Sequence, residues 1–168
     1  MRIHYTIALT SLVGMPALAA DLALTVEIPR IDVAEYHRPY VAIWVEKADQ
    51  SVPATLAVWY AVKNREGTKW LKDMRQWWRR AGRSMEVPVD GVTSATRPVG
   101  EQKLAFSDTS APLGKLPAGE YKLGVEAARE AGGHEVVYVP FTWPPAKATQ
   151  VKGAGSTELG AITIDLKP

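Results

Sequence analysis

The sequence predicts a mostly β protein: an immunoglobulin-like β-sandwich with one Trp-rich helix inserted into it. Three observations predict this. Short apolar runs, many of them alternating, are separated at regular intervals by Gly, Pro, Asn and Asp, the pattern of a two-sheet all-β domain. Of 168 residues, 46% are hydrophobic and 23% charged, which suits one soluble domain with a core of its own. A single segment changes period from that of a strand to that of a helix.

The chain opens with a different kind of segment. Met1-Arg2-Ile3-His4 is a short positive start, Tyr5 to Met15 is mostly apolar, and Pro16-Ala17-Leu18-Ala19-Ala20 closes with small residues. Residues 1–20 therefore read as a secretory signal peptide, with cleavage expected after Ala19 or Ala20. The apolar run is too short for a stable membrane span, and no later segment resembles one. The expected location is the periplasm of a two-membrane bacterium, with residues 21–168 as one domain. No Cys follows the cleavage site, so no lipid anchor is expected there.

Within that domain, DLALTVEIP places Leu22, Leu24, Val26 and Ile28 on one face and ends at Pro29, a half-buried strand. RPYVAIWVE sets Tyr40, Ala42 and Trp44 against Val41, Ile43 and Val45, a strand buried on both faces, and ATLAVWYAVK repeats that character. KLAFS, GEYKLGVEAAR, EVVYVPFTW and LGAITIDL complete the strands, with a hairpin turn at Gly132-Gly133. TKWLKDMRQWWRRAG, residues 68–82, reads as one helix, capped by Thr68 and closed by Gly82. Trp70, Leu71, Met74, Trp77 and Trp78 form its apolar stripe, and Lys69, Lys72, Asp73, Arg75, Arg79 and Arg80 its polar face. It is expected to cover an open end of the sandwich, and its rings and guanidinium groups are also able to stack on flat heterocycles. Residues 144–159 read as an exposed Pro/Gly/Ser-rich connector, and Glu126, Arg129 and Glu130 as a solvated strand end.

Composition excludes several chemistries. Without cysteine there is no thiolate catalysis, no Cys-linked haem, no iron–sulfur cluster and no Cys zinc site, and the fold is held by its core alone. A formal net charge of +2 argues against broad nucleic-acid binding. His37 and His134, the histidines downstream of the leader, are far apart and lie in no metal-binding pattern. Ser94 lacks the Gly-x-Ser-x-Gly context of a nucleophile elbow, and no catalytic site is expected.

The stretch that asks for chemistry is DGVTSATRP, residues 90–98. Read plainly it is a tight surface loop. It also presents Thr96 among small neighbours, Gly91, Ser94 and Ala95, so another protein's active site is able to grip it. A Thr hydroxyl needs an external base or metal to react. Asp90 supplies a carboxylate that orders the turn or meets a metal held by the partner. Arg97 stands next to Thr96 and suits a phosphate attached there.

Asp90, Thr93, Ser94, Ala95 and Thr96 resemble, position by position, the target motif of the FAD:protein FMN transferases, with Ser94 where Gly is commoner. The resemblance implies covalent FMN on Thr96, with Asp90, Gly91, Thr93, Ser94, Ala95 and Arg97 around it. The wider chain, through RPYVAIWVE, LAVWY, KWLKDMRQWW, DGVTSATRPVG and PAGEYKLGVEAARE, is similar to a family of small periplasmic proteins of unassigned function. That family occurs beside PepSY-type membrane proteins and flavin transferases. Phe106 stands where that family has Trp, and Asp108 is displaced by Ser107. Together the resemblances imply a periplasmic electron carrier that exchanges electrons with a PepSY-type oxidoreductase. The alternative is a non-redox binding or scaffold module of a membrane complex, since sandwiches host many functions.

Overall fold

The computed structural model of the protein describes residues 19–114 and 116–168. The leader reading of residues 1–20 thus falls almost wholly outside the described residues. The chain forms β1 (Asp21–Ile28), β2 (Tyr40–Glu46), β3 (Ala54–Tyr60), α1 (Arg75–Arg80), β4 (Thr93–Ala95), β5 (Gly100–Ser107), β6 (Gly119–Ala128), β7 (His134–Trp143), β8 (Thr149–Ala154) and β9 (Ala161–Lys167). One sheet runs β5-β1-β9-β8 and the other β4-β3-β2-β6-β7. All neighbours are antiparallel except β3 and β4, which pair in parallel. The expected β-sandwich is present.

Alternation explains the inner layer. Leu22, Leu24, Val26 and Ile28 of β1 and Ile162, Ile164 and Leu166 of β9 meet Val41, Ile43, Val45, Leu56, Trp59, Leu123 and Val125 from the facing sheet. β2 and β3 are buried on both faces because the five-stranded sheet carries a second apolar layer on its outside. There Ala42, Trp44, Val58 and Tyr60 pack against Leu71, Met74 and Trp77. The Trp-rich segment therefore covers a sheet face, not an open end of the sandwich.

That segment is not one continuous helix either. A 3-10 turn over Gly67–Asp73 leads into α1, and a second 3-10 turn follows over Gly82–Ser84. Met74 breaks the run with φ −78° and ψ 74°. The reason lies in β6. The Glu126 carboxylate, 0% exposed, accepts the N–H groups of Gln76 at 2.9 Å and Trp77 at 2.7 Å, so a new helix starts at that anion. His134 Nε2 stands 2.5 Å from the same carboxylate. At the other end of α1, Arg80 Nε lies 3.3 Å from Glu46, which also accepts the Trp44 indole N–H. Trp77 donates its own indole N–H to Thr55. Trp70 departs from the predicted stripe and is 53% exposed.

Two further expectations are corrected. Residues 144–159 are not merely a connector: β8 lies within them, paired to β9 from Thr149 to Ala154. The turn after β8 is held by Glu135, which accepts backbone N–H groups from Ser156, Thr157, Glu158 and Leu159. Glu126 and Arg129 are not solvated. Arg129 pairs with Glu158 at 2.8 Å, with side chains 6% and 4% exposed, and so ties the β6–β7 hairpin of one sheet to the β8–β9 turn of the other. Only Glu130 of that trio is exposed.

The two ends of the sandwich differ. Asp21 stands opposite Lys167 and Ser107 at one end. The other end gathers the end of β3, the β6–β7 hairpin, the start of β5 and the β8–β9 turn. Ala20 is 2% exposed, and its carbonyl accepts the Asp108 N–H, so Ala20 packs with the domain ahead of β1.

Candidate functional site

The DGVTSATRP stretch starts as a loop, runs as a sheet edge over Thr93–Ala95, and leaves the sheet again at Thr96. Val92 and Thr93 donate their N–H groups back to the Val89 carbonyl, closing a turn around Asp90 and Gly91. Gly91 sits at φ +73°, in the left-handed region that glycine tolerates best. Asp90 and Gly91 are exposed. The Thr93 hydroxyl is fully used: it accepts the Val89 N–H at 2.9 Å and donates to the Val89 carbonyl at 3.0 Å. Thr93, Ser94 and Ala95 then form β4 alongside Val58, Trp59 and Tyr60, so three of the expected loop residues are strand. β4 lies at the edge of its sheet, and its outer side has no strand neighbour.

After Ala95 the chain crosses from the five-stranded sheet to β5 of the other, and Thr96 is the first residue of that crossing. Arg97 turns back along it. Its guanidinium lies 5.4 Å from the centre of the Trp59 ring and donates to Ser94 Oγ at 3.3 Å. Thr96 is half-buried and lines a shallow open groove of about 480 Å³ with Tyr60, Ala61, Val62, Lys63 and Asn64. Among the described residues its hydroxyl makes no hydrogen bond. Ser94 and Arg97 are thus brought together. Among the described residues no hydrogen bond or ion pair joins Asp90 to Thr96, Ser94 or Arg97.

A family described as predicted periplasmic protein, DUF2271, matches residues 21–161, which is most of the chain. The chain belongs to that family. No curated protein and no solved structure matches it. No described helix of this DUF2271 member is long and apolar enough to cross a membrane.

Several polar groups at the same end escape a reading of the sequence alone. Arg129 and Glu158 form a buried pair 29 residues apart in the chain, and Glu126 and His134 a half-buried one across the β6–β7 hairpin. The available signal is position: Glu126 lies inside an apolar strand, where a solvated carboxylate has no place. Arg129 also lies 6.0 Å from the Tyr36 ring centre, and the Tyr36 hydroxyl is buried with no hydrogen-bond partner among the described residues. Burial pushes the Tyr36 hydroxyl above its ordinary value, against the pull of Arg129.

Proposed function

We propose that this protein is a periplasmic electron carrier bearing FMN through a phosphoester on Thr96. The observation behind this reading is the contrast among the motif's three hydroxyls. Thr93 is spent on Val89, Ser94 accepts from Arg97, and Thr96 is left uncommitted beside an open groove. An FAD:protein FMN transferase needs a hydroxyl in that condition. Thr96 Oγ attacks the phosphorus on the FMN side of FAD, the bond to the AMP phosphate breaks, and AMP leaves with the electron pair. The Thr96 proton passes to a base of the transferase, which also brings any metal.

The chain's residues suit the product. Arg97 holds Ser94 by a bond of 3.3 Å, weak enough to exchange for a phosphodiester one residue away, and Lys63 lines the groove on the other side. Asp90, exposed on its turn, is free to meet the transferase. Bound FMN supplies one- and two-electron chemistry, and the tether keeps it in the periplasm. The electron partner in this reading is a PepSY-type membrane protein. Export accompanies it, with cleavage after Ala19, which retains the buried Ala20 and its bond to Asp108.

The test is the intact mass of the exported protein made with an active flavin transferase. Wild type gains one FMN less one water, Thr96→Val gains nothing, and the base mass starts at Ala20. An unmodified wild type, with the transferase working on another target, removes the carrier reading and leaves the scaffold module.

A further inference from the structure

A cavity of about 360 Å³, within the range of small-molecule pockets, opens at the same end of the sandwich, against the β6–β7 hairpin and the 3-10 turn before α1. Its inner wall includes Arg129, whose side chain is only 6% exposed. Glu158 takes Nε at 2.8 Å and Nη2 at 3.0 Å, and Nη1 makes no hydrogen bond among the described residues. Gly132 and Gly133 allow the hairpin to close on this pair: a Cβ on the first would stand 2.3 Å from Arg129 Cζ, and one on the second 2.6 Å from Glu158 Oε1. The buried guanidinium is therefore held in place with one nitrogen to spare.

The remaining walls combine aromatic surface with charged groups of both signs. Trp70 is 53% exposed here, an indole left to water, and Tyr40 is fixed beside it by donating its hydroxyl to the Gly67 carbonyl at 3.1 Å. Arg38 and Arg75 are exposed on the lining. Two carboxylates oppose them, Asp73 and Glu130. Glu130 has the imidazole of His37 at 3.7 Å, and His134 is engaged by Glu126. His37 lies nearer Glu35, at 3.2 Å, and Arg129 is paired with Glu158, so Arg38 and Arg75 balance Asp73 and Glu130, and Arg129 Nη1 is the donor left over on the inner wall.

We propose that this pocket binds a small planar aromatic carboxylate, its ring on Trp70 and Tyr40 and its anionic group towards Arg75, Arg38 and Arg129 Nη1. Indole faces hold flat rings by offset stacking, and a guanidinium fork matches a carboxylate. The site is separate from Thr96 and does not rest on the flavin reading.

The experiment uses unmodified protein, produced without a flavin transferase, and calorimetric titration with 2-naphthoate and with 2-naphthalenemethanol, its neutral counterpart. Saturable one-site binding of naphthoate is expected, with the alcohol at least about tenfold weaker. Trp70→Ala and Arg75→Ala each lower naphthoate affinity about threefold to tenfold. Both residues are exposed, so the melting curves stay as in wild type. Absence of saturable binding overturns the proposal. So does equal binding of acid and alcohol, or binding indifferent to both substitutions.

Discussion

Glu135 shows how much one side chain does in a fold without disulfides. Burial alone would raise its carboxyl above the ordinary 4.5, but the backbone donors of Ser156, Leu159, Thr157 and Glu158 outweigh that and hold it at about 2. The unfolded chain then binds a proton more readily than the folded one. The stabilisation is complete above about pH 4.5 and is lost as the pH falls through about 2. Glu135→Gln therefore costs on the order of 2 kcal/mol at pH 7, allowing for the residue's partial exposure. Urea denaturation at pH 7 and pH 3 should show the gap between wild type and variant narrowing at the lower pH. Such carboxylates are hard to see in a sequence. Glu126 reads as part of a solvated strand end and Glu158 as part of an exposed connector because Trp77 and Arg129, their partners, lie many residues away. Thr96 stands out in the sequence because its motif is local, whereas the condition of its hydroxyl depends on the fold.

At the scale of elements, α1 and its flanking turns act as a lid over β2, β3 and β6. Trp77 is its pin, 0% exposed and bonded through Nε1 to Thr55. Trp77→Ala should cost about 3–5 kcal/mol, by the lost burial and the cavity left behind. Chemical denaturation would read it, and a cost below 1 kcal/mol would mean that the lid contributes little to the fold. The strands with clean alternation, β1 and β9, and the doubly buried β2 and β3 were legible in the sequence. β4 was not, because three residues in parallel pairing have no periodicity of their own. β8 was hidden because Thr149 to Ala154 offers one aliphatic residue, Val151, among polar and small ones. The helix was predicted by its spacing, but its break at Met74 depends on Glu126, some fifty residues further on.

Across the whole molecule, Arg129 and Glu158 join the two sheets at the end where Thr96 emerges. A buried pair broken on one side leaves a charge without a partner, so Glu158→Gln should cost about 3–5 kcal/mol. Arg129→Met combined with Glu158→Gln should cost less than the sum of the two single changes, as a double-mutant cycle would measure. The opposite end is where β1 starts and β9 finishes, with Asp21 facing Lys167. β1 spans about 25 Å between the two ends. The start of β1 and the end of β9 therefore stand at one pole and Thr96 at the other. Grafted to a bead or an electrode through a side chain beside Asp21 or Lys167, it would stand like a bristle, with Thr96 turned outward and clear of the surface that holds it.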